Sequence, residues 1–363
     1  MTKKYFIMIG LFAAYIISFI WSSVYAHKNY YSFHDVLPSY GFVSEEQRDA
    51  LKDFFRRASL MGVHESDTFF TKKCTEQELA QELVDLIENM QVICGLRRDS
   101  KERWELKPLD WMQQQEEAVI VDLKDMVFID ALTPSLKTVD VICILGATKG
   151  RMDERMDYAA SLLAEGLIAA KIILLTGERY VTDKVDGSAE VLRTIAEEYG
   201  IEDWHDLTEA HLMDYLFKRS RLSLYNLEMY LINTPAGDLP RPTTQTTMLD
   251  LIQWLKEHSD VRSIIFVSNQ PYVNYQKAII ASILKEQDVY ITFEVVGSAA
   301  ARVSPHALVE GFGSYMWAAT PLVLLDLGIT VTDPSLINRL KDLYPKNGLL
   351  NKVVPVQSQC GIA

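Results

Sequence analysis

The chain has 363 residues, 48% hydrophobic and 23% charged, an ordinary globular composition that excludes wholesale disorder and collagen-like repeats. At roughly 150 residues per domain the length suggests two domains, or one large domain with additions. Against 36 Lys and Arg stand 49 Asp and Glu, a net charge of −13. This excludes a nucleic-acid binder that relies on general attraction to phosphates, while leaving a local basic pocket open.

Lys3 and Lys4 precede an apolar run from residue 5 to about 21, followed by Ser22-Ser23-Val24-Tyr25-Ala26. Val24 and Ala26 ahead of His27 fit a signal-peptide cleavage site. The run is longer than the 7–15 residues of a usual signal core and nearly reaches the roughly 18 of a membrane span. Residues 1–26 therefore read either as a cleaved signal peptide or as an uncleaved membrane anchor. In both cases the lysines keep the N-terminus cytoplasmic and put everything after about residue 27 outside the cytosol. The chain is then periplasmic or secreted if cut after Ala26, and otherwise anchored in the inner membrane. Residues 316–329 are also apolar, but Pro321 and Asp326 interrupt them and they are too short to span. Cys74, Cys94, Cys143 and Cys360 show no C-x-x-C spacing, which disfavours a zinc site. Cys143 lies in an apolar strand and is expected to be a buried free thiol. Cys74 and Cys94 flank one predicted helix that would hold them roughly 25 Å apart, too far for a bridge. The pairing of Cys360 stays open.

Residues 27–43 read as an aromatic, irregular linker. Two helices with clear starts follow. Ser44-Glu45-Glu46-Gln47 is a capping box ahead of an apolar stripe of Leu51, Phe54, Phe55 and Ala58. Thr75-Glu76-Gln77-Glu78 is another, ahead of Leu79, Leu83, Leu86, Ile87 and Met90. Residues 44–118 are thus a helical N-terminal region, and 119–130 are ambiguous between a strand and a short helix. From residue 138 near-continuous apolar runs at 139–145, 171–176, 228–233, 262–268 and 290–296 alternate with helical stretches near 152–166, 187–199, 208–220, 246–257 and 273–285. Runs buried on both faces and alternating with helices indicate a parallel sheet. Residues 119–345 are therefore an α/β, Rossmann-like domain with a mainly parallel five-stranded sheet, the 139–145 run at its centre. Asp333-Pro334 starts a last helix, and 346–363 read as a C-terminal tail.

No P-loop, G-x-G-x-x-G, G-x-S-x-G or H-E-x-x-H pattern occurs, which lowers P-loop hydrolysis, ordinary dinucleotide binding, standard serine hydrolysis and zincin chemistry. No His, Cys, Asp or Glu cluster has ligand spacing, so no metal is predicted, and no cofactor is assigned. In an open parallel sheet ligands bind at the carboxyl ends of the strands, and the candidate site is read there. Gly146 lets a ligand approach the backbone. Arg151 and Arg155, four apart at a helix start, could clamp a phosphate or carboxylate, or they could pair with Asp153, Glu154 or Asp157. Thr176 ends the second run, and Glu178 beyond it is a candidate base, a hydroxyl-binding group or the partner of an arginine. Thr243-Thr244-Gln245-Thr246-Thr247 holds more hydroxyls than an N-cap needs, so Thr244 and Thr246 are candidate anion ligands. Ser268 ends the fourth run. Arg155→Ala is expected to weaken an anion by roughly 1.5–3 kcal/mol and to cost the fold no more than about 0.5 kcal/mol.

Leu145-Gly146, Arg155 with Ala159-Ala160, Thr176-Gly177, Thr244 to Thr247, Val267-Ser268 and Lys277-Ala278 follow one another in an order that resembles the SanA/ElyC/YdcF-like family of bacterial proteins, over about residues 138–300. Where the family has a second glycine this chain has Glu178, and where it has His and Arg this chain has Asn274 and Lys277. The resemblance implies a Rossmann-like sheet, export or membrane anchoring, and a link to cell-envelope metabolism. One member is associated with S-adenosylmethionine, to which an exported protein has little access. The expected function is an envelope protein acting on an anionic phosphorylated glycan or lipid precursor. Two alternatives stand beside it: a non-catalytic module that binds a small anionic ligand, and a secreted protein acting on a partner protein. No nucleic acid is expected as partner, and a membrane only through the N-terminal segment.

Overall fold

The computed structural model describes residues 30–58, 70–96, 109–301, 303–345 and 347–354. The segment 1–26 and Cys360 lie outside them. Five strands, β1 (Thr138–Leu145), β2 (Ile168–Gly177), β3 (Glu228–Thr234), β4 (Ser263–Asn269) and β5 (Thr292–Ser298), form one all-parallel sheet in the order β3-β2-β1-β4-β5. β1 is central, as its apolar character on both faces requires: Val141, Cys143 and Leu145 enter one core, and Ile142 and Ile144 the other. The helices α5 (Lys149–Ala164), α6 (Ala189–Glu198) and α7 (Glu209–Arg219) cover one face. On the opposite face lie α8 (Thr244–Glu257) and α9 (Val273–Glu286).

A helical layer packs beside the sheet, and its composition departs from the expected boundaries. It contains α1 (Phe33–Val36), α2 (Glu45–Arg57), α3 (Glu76–Ile93) and α4 (Glu116–Asp125), but equally α10 (Pro305–Asp326), α11 (Pro334–Leu343) and α12 (Leu350–Val353). The described part of the expected linker is an ordered part of this core. Ser32 caps α1 with a reciprocal box, a 3-10 turn follows, and Phe33, Val36, Leu37, Tyr40 and Phe42 are all buried. Of residues 119–130, the first seven belong to helix α4, whose Val119, Asp122 and Leu123 face inward at helical spacing, and 126–130 are turns and bends. The expected tail contributes Leu350 and Val353 to the same core. Tyr40 Oη and Thr320 Oγ1 share a buried hydrogen bond of 2.7 Å, and Arg339 binds Asp85 at 2.5 Å and Glu88 at 2.7 Å. Both contacts join the two ends of the chain. Among the described residues only α10 is long and apolar enough to cross a membrane, and 78% of its apolar window is buried within this layer. Cys74, Cys94 and Cys143 are free and buried, and burial pushes the Cys74 thiol up to about 11.

Candidate functional site at the carboxyl edge of the sheet

The strand order reverses between β1 and β4, so the crevice expected of an open α/β sheet lies at their carboxyl ends. Arg155 of α5 fills it. Its side chain is 3% exposed; Nη1 donates to Leu145 O at 2.6 Å and Gly146 O at 2.8 Å, and Nε donates to Asn269 Oδ1 at 3.0 Å. This arginine ties the carbonyls at the end of β1 to the side chain of Asn269 at the end of β4; it is not the surface residue on which the expectation of an intact fold after its removal rested, because carbonyl ends with no following strand need a donor and Arg155 supplies it. Asn269 Nδ2 donates in turn to Glu154 Oε2 at 2.8 Å. Arg151 binds the same oxygen at 2.8 Å, which makes it the partner of a helix neighbour rather than half of a free clamp.

Sequence reasoning missed a second cluster beside β2. Glu209, the first residue of α7, inserts its carboxylate between the ends of β1 and β2. A Cβ on Gly146 would lie 2.0 Å from its Oε1, so any side chain there must displace the Glu209 carboxylate. Gly177 N–H points at Oε1 from 3.4 Å, and Arg179 Nε donates to Oε2 at 3.0 Å. Arg179 also holds Asp186 with both Nη atoms, at 2.8 and 3.0 Å. Asp186, fully buried, accepts the Lys149 N–H at the start of α5 at 3.1 Å. The helix N-terminus that could have received an external anion is thus occupied by a carboxylate of the chain. Burial raises the Glu209 carboxyl above its ordinary value, with Arg179 acting in the opposite direction. For Arg179 burial is unfavourable, but the hydrogen bonds it donates to Asp186 and the charge of Glu209 outweigh it and hold the guanidinium protonated.

The remaining expected residues divide. Thr176 is buried, and its hydroxyl donates to Ile232 O at 3.2 Å, a link between β2 and β3. Glu178 is exposed; its N–H continues the β2–β3 ladder to Thr234 O at 2.7 Å while its side chain faces solvent, so the buried acid here is Glu209 instead. Thr246 serves the N-terminus of its own helix: its Oγ1 accepts from Thr243 N–H at 2.9 Å, in a reciprocal box with Thr243. Thr244, half-buried at the first turn, receives Thr247 Oγ1 on its carbonyl at 3.2 Å. Both threonines sit on α8, across the sheet from Arg151 and Arg155 on α5. The expected residues thus come from both faces of the sheet, with Arg155, Thr176 and Ser268 buried.

Unsatisfied polar atoms gather at the same edge. Thr234 Oγ1, Ser268 Oγ, Gln270 Oε1 and Ser298 Oγ are buried without a hydrogen-bond partner, at or just beyond the ends of β3, β4 and β5. Thr234, Ser268 and Gln270 are at most 4% exposed. By strand alternation Thr234 and Ser268 share the face of Ile232 and Phe266, under α8 and α9. Gln270 Nε2 is bound to Val127 O and Asp130 O, both at 3.1 Å, leaving only its oxygen. On the other face, beside Ser298, an open depression of about 440 Å³ is lined also by Glu154, Asp157 and Tyr158. Among the described residues no His, Cys, Asp or Glu group is arranged to hold a metal.

No protein-family model matches the chain, and no curated protein matches it.

Proposed function

We propose that this chain is an exported or membrane-anchored protein whose α/β domain binds a small, hydroxyl-rich ligand of glycan type at the carboxyl edge of the sheet, without transforming it. The observation that carries this reading is the pair of buried, unpartnered polar atoms at the end of β4, Ser268 Oγ and Gln270 Oε1. A buried polar group without a partner costs about 1–3 kcal/mol, and ligand hydroxyls, which both donate and accept, would remove that cost there. Phosphate recognition has less support, because Arg151, Arg155 and Arg179 are each engaged by oxygens of the chain itself. The order of motifs along the strand ends supports kinship with the SanA/ElyC/YdcF-like proteins, and Lys3-Lys4 with the apolar run supports export.

The test is calorimetric binding of N-acetylglucosamine, glucose and glucose 1-phosphate. At least one sugar binds, and its phosphate ester binds no more than tenfold tighter. Ser268→Ala weakens binding about tenfold, the worth of one hydrogen bond, and raises the melting temperature of the free protein, because it removes a buried hydroxyl that has no partner. Binding of none of these probes, or binding indifferent to Ser268→Ala, overturns the proposal. Export is tested by an alkaline-phosphatase fusion after residue 60, which is active only outside the cytosol.

A second reading, an enzyme on the same ligand class, is favoured by one observation: Glu209 is a buried carboxyl raised by its surroundings at the sheet edge. It predicts that turnover of a phosphorylated glycan is abolished in Glu209→Gln while binding persists.

A further inference from the structure

The two edges of the sheet are finished differently. β5 is covered, since Leu132 exchanges backbone hydrogen bonds with Gly297 at 2.9 and 3.1 Å and Ser135 binds the Glu294 carboxylate. Beyond β3 no described strand follows. Thr234 O accepts from Glu178 N–H on the β2 side. Backbone groups alternate sides along a strand, so residues 228, 230, 232 and 234 face β2, and Met229, Leu231 and Asn233 turn their N–H and C=O groups outward. Met229 and Leu231 are 39% and 41% exposed. The strand has none of the usual protections of a bare edge: it contains no Pro and no Lys, its register with β2 is unbroken, and its one charge is Glu228 at the first position. Leu224, 83% exposed, precedes it, and Leu249, 42% exposed, lies on α8 beside it.

We infer that this edge is where two copies of the chain pair, β3 against β3, antiparallel about a two-fold axis at Leu231, to make one continuous sheet. The strand is self-complementary about that axis, which admits a second copy as the occupant. About that axis Glu228 faces Thr234, Met229 faces Asn233, Tyr230 faces Ile232 and Leu231 faces its own equivalent. No like charges meet, although each copy has a net charge of −13. Each outward-facing pair exchanges two backbone hydrogen bonds. The strand pairing alone covers a strip roughly 23 Å long and about 5 Å wide, well short of the approximately 800 Å² per partner of a stable interface; Leu224 and Leu249 extend it with apolar surface.

The purified full chain, examined by light scattering across a dilution series up to ~100 μM, has the mass of two copies at the upper end and dissociates on dilution. Leu231→Lys sets like charges face to face and has the mass of one copy, with its circular dichroism unchanged. Leu231→Cys gives a covalent pair on mild oxidation, because facing residues of a hydrogen-bonded pair lie about 5.5 Å apart, within disulfide range. Glu228→Cys, which faces Thr234, does not. A single-copy mass at every concentration, a two-copy mass that survives Leu231→Lys, or no cross-link from Leu231→Cys overturns the inference.

Discussion

Arg155 shows how the surroundings of one side chain change its meaning. Its spacing from Arg151 suggested a solvated clamp, but three oxygens at the ends of β1 and β4 enclose it. Arg155→Ala leaves two carbonyls and Asn269 without their donor, and an unfolding titration should show a loss of about 3 kcal/mol. A loss under 1 kcal/mol would mean that water replaces the guanidinium. Arg155→Lys recovers only part of the loss, because an ammonium lacks the planar fork. His306 permits a second prediction. Both its ring nitrogens are buried without a partner, and burial lowers its proton affinity, with Glu310 one turn away opposing. The unfolded chain then takes up the proton more readily than the folded one. Stability from this group is whole above the ordinary histidine value of about 6.5 and declines as pH falls below it toward the depressed folded value. Thermal melts at pH 7.5 and 5.5 should separate more in the wild type than in His306→Phe. Equal separations would assign the pH response to other groups. Neither role could be read from the residue alone, since an arginine or histidine at a helix start looks the same whether its tip meets solvent or the end of another strand.

Secondary elements were largely legible, and the exceptions share a cause. β1, β4 and the second half of β2 showed as apolar runs because both of their faces are buried, while β3 reads as a strand although one of its faces is exposed; α2, α3 and α11 announced themselves through Ser44, Thr75 and Asp333, all of which cap as expected. α1 and its following 3-10 turn span four residues each, too few for a helical period to show. At the sheet edge the sequence draws attention to Glu178, which is exposed, and passes over Glu209, which is buried. Glu178 follows β2 directly, whereas Glu209 opens α7, where an acidic residue ordinarily complements the helix dipole and attracts no notice. What could have marked it is Gly146, a glycine whose missing side chain leaves the space that the Glu209 carboxylate occupies. Gly146→Ala therefore should push Glu209 off Arg179 and lower stability by about 1–3 kcal/mol, and Glu209→Ala in the same chain should restore part of that loss. If the two substitutions are simply additive, the glycine has some other purpose.

At the scale of the molecule, the sheet domain lies between two lengths of chain that complete each other. Residues of α1–α4 and of α10–α12 enter one hydrophobic core, with Phe54 and Phe128 both against Phe312, at 4.7 and 5.3 Å between ring centres. Sequence order concealed this, because helices far apart in the chain carry no sign that they share a core. Removing residues from 305 onward should expose the apolar faces of α2 and α3, and the truncated chain should bind a hydrophobic dye or precipitate rather than remain as an independent α/β unit. A soluble, cooperatively melting truncation would contradict the single shared core. The arrangement also imposes an order in time. During synthesis α2 and α3 emerge first, and their counterpart α10 is made only after the whole sheet, from Thr138 to Ser298. At about 5–20 residues per second that delay is on the order of ten seconds or more. Throughout it α2 and α3 have only α4 and each other to rest against and lack the surface of α10, so the nascent chain either keeps them loosely folded or relies on a holding factor until the segment from Pro305 onward leaves the ribosome.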